Sequence, residues 1–281
     1  MPVGMVRDIL HWASTVDEVT LLGGEPASHP EFERVLEAVA EFPVRVRLVT
    51  NGSRRFRRLL RSDHVQRSLD RVAVSLDSPS RVVFDRLRGP GAYEDALATI
   101  DLLRRAGIPY DINCTVVGST LDTFAGMPHY VESLGAGRLN VHWFSPVGRG
   151  RVHAAGEAVS AADWRDRVLA PVARYRPERD GFVVDCELAF AYGLPGEDRN
   201  MCAVRDRTNL QFFPNGDVFA CGIAVEHDTF SAYVWRDGSL VARAGRSELT
   251  ATSGGTCGGC PLRESVDGLT PVCVYNRLAP A

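Results

Sequence analysis

Hydrophobic positions alternate between two rhythms over the first half of the chain. Short β-rich runs occupy 18–22, 44–50, 71–76, 108–117 and 139–144. Between them, 31–42, 54–62 and 93–106 carry apolar residues at helical spacing. Strands alternating with helices of this length predict right-handed βαβ crossovers and a parallel sheet. Five such runs in succession, without a reversal, favour a barrel or partial barrel over a flat doubly wound sheet. Past Ser145 the rhythm fades, with one more helix predicted over 160–174. From Phe182 onward the texture is short strands, glycines and clustered cysteines. A boundary near Gly181 then divides the chain into 1–180 and 181–281.

In parallel βα architectures, function collects at the carboxyl ends of the strands. Here every predicted strand end is polar or glycine-rich. The first ends in Gly23-Gly24-Glu25-Pro26, the second in Thr50-Asn51-Gly52 and the third in Ser75-Leu76-Asp77. The fourth passes through Asn113, and the fifth runs from Phe144 into Ser145-Pro146-Val147-Gly148. Together they predict a small-molecule site on one rim. The two glycines allow close backbone approach, and Pro26 holds Glu25 extended. That makes a shelf of carbonyls beside a carboxylate, suited to an ammonium group. Asp77 is placed either to bond a ribose diol or to cap the helix after Pro79. Asn51 suits a ligand or a local turn, with the turn favoured. Arg54, Arg55, Arg57, Arg58 and Arg61 read as a solvated helix face.

Composition narrows the chemistry. The 281 residues carry 32 basic and 35 acidic side chains, for a formal charge of −3, and every basic residue is arginine. The absence of lysine excludes Schiff-base chemistry and a Walker A lysine. The balanced charge argues against a nucleic-acid binder. No apolar run approaches the ~20 residues of a membrane span, and no signal peptide opens the chain, so a cytoplasmic location is expected.

Seven cysteines without an export signal point to metal or redox use. Cys202 is followed by 13 residues, Gly216, 4 residues and Cys221. After 35 more come Cys257 and Cys260, spaced by two, then Cys273 after another 12. The 209–213 run followed by Pro214-Asn215-Gly216-Asp217 predicts a hairpin that draws Cys202 and Cys221 together. The Cys257/Cys260 pair has knuckle geometry. Spacing alone leaves structural zinc and an iron–sulfur cluster both open. Cys114 reads as a core residue, Cys186 ends a strand at the boundary, and no histidine pair has metal-ligand spacing.

The segments VTLLGGEP (19–26), LVTNG (48–52), VAVSLD (72–77), DRLRGPGA (85–92) and FSPVGRG (144–150), followed by the cysteine pattern, occur in order along nearly the whole chain. In these the chain resembles the radical S-adenosylmethionine enzymes that carry a SPASM/twitch-type auxiliary iron–sulfur domain. The resemblance implies a partial (β/α)6 TIM-like barrel, here lacking its first βα unit, followed by a small cysteine-rich domain. It implies S-adenosylmethionine held by Gly23, Gly24, Glu25 and Pro26 at the methionine end. Asn51, Ser75, Asp77 and Asn113 would lie along the cofactor, with Phe144, Ser145, Pro146 and Val147 near adenine. It also tilts the metal reading to one auxiliary [4Fe-4S] cluster on Cys202, Cys221, Cys257 and Cys260, with Cys273 as a spare, a substitute ligand or a remnant of a second site. The family's C-x3-C-x2-C loop is missing, since the first cysteine is Cys114. Residues 1–15 read as the helix after that loop, so the expectation is a chain that starts just past the motif and is catalytically incomplete. The implied function is an oxidoreductase or peptide- or natural-product-modifying enzyme using a 5′-deoxyadenosyl radical. Its implied partners are a peptide or small-molecule substrate and an electron donor such as flavodoxin or ferredoxin. The alternative is a cluster-less binding or scaffold module that keeps one auxiliary cluster.

Overall fold

The computed structural model describes residues 1–144, 156–186, 210–219 and 233–243. One compact unit comprises Val6–Trp143 and Ala162–Glu187; the remaining described residues belong to a second.

The first unit is built on strands β1 (Glu18–Leu21), β2 (Arg45–Thr50), β3 (Arg71–Ser75), β4 (Tyr110–Val116), β5 (Arg138–Trp143) and β6 (Val183–Cys186). All neighbours pair in parallel, and the spatial order is the chain order. The sheet stays open, with β1 and β6 as its edges. This is the expected α/β partial barrel. Its sixth strand lies past the predicted boundary at Gly181, so the sheet unit extends through Glu187, and Cys186 closes β6. The strand was legible; its membership in the parallel sheet was not, because pairing to β5 is a long-range choice.

Helix α1 (Val3–Trp12) precedes β1, and α2 (Phe32–Ala40), α3 (Arg54–Leu59), α4 (Asp63–Arg67), α5 (Arg81–Arg88), α6 (Ala92–Ala106), α7 (Leu121–Phe124) and α8 (Met127–Ser133) lie between successive strands from β1 to β5. Helix α2 buries Phe32, Val35, Leu36 and Val39, and α6 buries Ala96, Thr99, Ile100 and Leu103. Both sets follow the i, i+3, i+4, i+7 stripe of a core-facing helix. Helix α6 stops at Gly107, whose φ of 68° lets Ile108 N–H reach Leu103 O and Gly107 N–H reach Arg104 O. It packs on β3 and β4, while α8 packs on β5. Beneath the helices lie Val46, Leu48, Val72, Val74, Ile112, Cys114, Leu139 and Val141, all buried.

The other face of the same sheet is mostly polar, with Val49, Ala73 and Val183 among its residues. Arg45, Arg47, Arg71, Asp111, Asn113, Thr115, Arg138, Asn140 and His142 alternate with those apolar residues along their strands. A parallel sheet covered on both faces reads as continuous apolar runs. Alternation here marks one apolar face covered by helices and one mostly polar face.

The second unit contains an antiparallel sheet of β7 (Gln211–Phe212), β8 (Asp217–Phe219), β9 (Tyr233–Arg236) and β10 (Ser239–Ala242), in the order β10-β9-β8-β7. The predicted hairpin is present as β7–β8. Gly216 has φ 87°, and a Cβ there would sit 2.8 Å from the Trp235 carbonyl oxygen, so only glycine fits. Asp237-Gly238, both at positive φ, form the two-residue turn between β9 and β10.

Candidate functional site

The loop after β1 shows what each residue of the Gly-Gly-Glu-Pro segment does. Glu25 is extended (φ −151°, ψ 108°), as Pro26 dictates. Its carboxylate, however, turns toward the protein. Thr50 Oγ1 donates to both oxygens at 3.0 Å, Asn51 N–H donates to Oε2 at 2.8 Å, and Ala27 N–H donates to Oε1 at 3.2 Å. Glu25 is therefore a clasp that ties the β1 loop to the carboxyl end of β2. The carboxylate expected to face an ammonium group is engaged instead by protein donors. Arg55 adds a second tie, donating to the carbonyls of Ala27 and His29.

The two glycines differ in cause. Gly23 has φ 148°, a conformation L-residues avoid. Gly24 shows no such φ, and a Cβ there would meet nothing within 4 Å. Neither backbone strain nor packing explains why Gly24 lacks a side chain.

Asn51 makes the local turn: its Oδ1 accepts Ser53 N–H at 3.0 Å, just ahead of α3. Farther along the rim, Ser75, Asn113 and Asn140 pair side by side in register across β3, β4 and β5. Asn140 Nδ2 donates to Asn113 Oδ1 at 2.8 Å. Among the described residues that leaves the Asn113 amide N–H groups, midway along β4, and the Ser75 hydroxyl, at the end of β3, without a hydrogen-bond partner.

Asp77 departs from both of its sequence readings. Its side chain is fully buried, Arg88 Nε donates to Oδ2, and Thr115 N–H donates to Oδ1 at 2.8 Å. Neither oxygen is presented to a ribose, and neither caps a helix; Ser78 Oγ instead accepts the Ser80 N–H before α5. The carboxylate holds Arg88 in its charged form. Asp85 is a similar tie, accepting Tyr93 N–H at 2.8 Å across the Gly89–Gly91 corner, which keeps its carboxyl below the ordinary range.

Phe144 directly follows β5. Ser145, Pro146 and Val147 lie outside the described residues, as do Cys202, Cys221, Cys257, Cys260 and Cys273. Cys114 is the expected core residue: buried, its thiol pushed up by burial, its Sγ 3.6 Å from the Asp77 carbonyl oxygen. Among the described residues no three His, Cys, Asp or Glu gather as a metal site.

Sequence reasoning passed over a cluster on the polar face, nearer the amino ends of the strands. Asp111, 2% exposed, accepts Arg71 Nη1 at 2.7 Å and Arg47 Nη2 at 3.3 Å. The available signal was the alternation of charged with apolar residues inside parallel strands, as in Arg45-Val46-Arg47-Leu48.

The chain is similar to known proteins along most of its length. Over 307 residues, covering 94% of this chain and 76% of that protein, the chain is 30% identical to the mycofactocin maturase MftC of Mycobacterium ulcerans. The family model described as the radical SAM superfamily matches residues 2–130. The chain belongs to the radical SAM superfamily. It is thus an enzyme at family level, and the cofactors of that superfamily are S-adenosylmethionine and an iron–sulfur cluster. The AdoMet-dependent heme synthase of Methanosarcina barkeri is 34% identical over 154 residues, or 53% of this chain and 42% of that protein. Streptococcus suis SuiB bound to S-adenosylmethionine has the same fold, with a TM-score of 0.65 at 17% identity over 81% of this chain and 55% of that one. The chain therefore spans less than half of the heme synthase and about half of SuiB. No described helix is long and apolar enough to cross a membrane.

Proposed function

We propose that this radical SAM protein modifies a peptide, with S-adenosylmethionine seated on the rim formed by Gly23, Gly24, Asn51, Ser75 and Asn113. The observation that carries the cofactor placement is Gly24, a glycine in open space and ordinary backbone. When bound, S-adenosylmethionine supplies radical chemistry; the chain's own residues bind and orient it. The Gly23-Gly24 carbonyls accept from the ammonium group. Glu25 fixes that shelf through Thr50 and Asn51. Ser75 and the Asn113 amide offer hydrogen bonds along the cofactor, and the Phe144–Val147 segment is assigned to adenine. The peptide reading is supported by likeness along 94% of the chain to a protein named a maturase. SuiB, of the same fold, has been seen with a precursor peptide, SuiA.

The reading includes an auxiliary [4Fe-4S] cluster on Cys202, Cys221, Cys257 and Cys260, with Cys273 in reserve, in a domain following the sheet unit. The strictly required Gly216 between the first two cysteines supports it, since it closes the hairpin on which Cys221 follows. The electron for cleaving S-adenosylmethionine would come from an external donor such as flavodoxin or ferredoxin through the family's C-x3-C-x2-C cluster, whose three ligands are not among these 281 residues. The test is Gly24→Leu. Its side chain enters open space, so the melting temperature stays that of the parent while S-adenosylmethionine affinity in equilibrium dialysis falls roughly tenfold or more. Undiminished binding by Gly24→Leu, or no binding by the unaltered chain, overturns the placement.

A further inference from the structure

Among the described residues, the polar face of the sheet carries a positive charge that its ion pairs leave uncompensated. Arg138 pairs with Asp185 at 3.0 Å, and Arg45 stands 4.0 Å from Glu18. Arg47 and Arg71 share the single carboxylate of Asp111. Two guanidinium groups bring ten N–H donors between them. Asp111 accepts two of these, one from each arginine. The trio has a net charge of +1, beside a carboxylate that is almost fully buried. Arg71 is 43% exposed and Arg47 29% exposed, so their outer N–H groups are within reach of a ligand.

Two details bear on how the pair is held. Arg47 Nε is buried without any hydrogen-bond partner, a cost native structures seldom accept without a reason. Space for Arg71 is kept by Gly137, where a Cβ would lie 3.2 Å from Arg71 Nη1 and 3.4 Å from Asp111 Oδ1. Arg47 and Arg71 are direct register partners on β2 and β3, so their side chains rise from the same face, side by side.

We infer that Arg47 and Arg71 bind a carboxylate of the substrate on the polar face of the sheet. Planar guanidinium forks match the two oxygens of a carboxylate. From Arg47 to Asn51, and from Arg71 to Ser75, each strand advances four residues to the rim, about 13 Å at the strand rise. An extended peptide covers that length in about four residues. The carboxylate would thus be a peptide's terminus or acidic side chain about four residues from the reacting position. That source rests on the peptide reading above; the anion site itself does not.

The experiment uses the full chain labelled with 15N-arginine, following the Nε–Hε signals of Arg47 and Arg71 by NMR. The signals are assigned with Arg47→Gln and Arg71→Gln, each of which leaves Asp111 one arginine. The probes are N-acetyl-trialanine, its C-terminal amide, glutarate and inorganic phosphate. Expected is a saturable shift of both signals with the peptide acid, none with the amide, and affinity roughly tenfold weaker in Arg71→Gln. Glutarate binding as tightly as the peptide acid would keep the carboxylate site and reject the peptide as its source. Equal shifts with acid and amide, tighter binding of phosphate, or no saturable shift would overturn the site and leave the trio a structural ion cluster. Equilibrium dialysis of S-adenosylmethionine with Arg71→Gln separates the two readings: its binding persists whether or not the carboxylate site exists.

Discussion

Replacing Glu25 by glutamine tests whether the carboxylate is a clasp or a direct ligand of the cofactor. The native carboxylate receives three donors: the Thr50 hydroxyl, the Asn51 N–H and the Ala27 N–H. The last two reach different oxygens. Glutamine keeps the volume and one acceptor oxygen but puts an amide NH2 where the other oxygen was. The Thr50 hydroxyl can rotate to donate to the remaining oxygen or to accept. The two backbone N–H groups cannot adapt, so one is left facing a donor. A hydrogen bond to a charged group contributes about 1.5–3 kcal/mol, and for this half-buried site we expect Glu25→Gln to cost about 2 kcal/mol. With a slope of about 2 kcal/mol/M, that lowers the urea midpoint by about 1 M, read by far-UV circular dichroism. Thr50→Val removes the neutral partner and should cost about 1 kcal/mol, less than additively with Glu25→Gln because both break the same bond. Loss of S-adenosylmethionine affinity should accompany the loss of stability, because the Gly23-Gly24 shelf is no longer pinned. A Glu25→Gln protein as stable as the parent but unable to bind the cofactor would refute the clasp and return the carboxylate to the ammonium group.

Three other outcomes follow from the same geometry. Arg88→Ala should destabilise the sheet unit more than Asp77→Asn in urea titrations, about 3 against about 2 kcal/mol, because only the former strands a buried carboxylate without its cation; equal costs would contradict the burial of that carboxylate. Gly216→Ala should disrupt the β7–β10 sheet, since the left-handed conformation costs about 1–2 kcal/mol and the new Cβ overlaps the Trp235 carbonyl; retained amide-exchange protection at Trp235 N–H, which donates to Gly216 O at 2.7 Å, would disprove it. Glu132 accepts the Tyr175 hydroxyl and the Arg179 N–H, and its carboxyl titrates below the ordinary range. A depressed folded-state pKa gives stability that is fully present above the unfolded value of about 4.3 and is lost as pH falls through the folded one. The midpoint difference between parent and Glu132→Gln should therefore hold above about pH 5 and shrink in more acid solution; a difference independent of pH would remove Glu132 from the linkage.

What the sequence determined by itself is what depends on neighbours in the chain. The alternation of β-rich runs and amphipathic helices specified the five strands 18–21, 45–50, 71–75, 110–116 and 138–143, because periodicity is a property of one segment at a time. Pro26 set the extended Glu25, Asn51 made its own turn, and Gly216 closed its hairpin, all through bonds or sterics within a few residues. The order of the polar strand ends placed a site on one rim, because parallel pairing gathers carboxyl ends. Tertiary structure alone decided which of those polar groups are spent. Glu25 and Thr50 are 25 residues apart, Asp77 and Thr115 are 38, and Arg47 and Asp111 are 64. Whether a carboxylate faces a ligand, an arginine or a backbone N–H depends on strand register and on which face a residue occupies, and a shift of one residue would reverse both. That is why Asp77 was legible as important yet was assigned the wrong partner. It is also why the Arg47–Asp111–Arg71 trio, three ordinary surface charges in the sequence, became visible only when β2, β3 and β4 lay side by side.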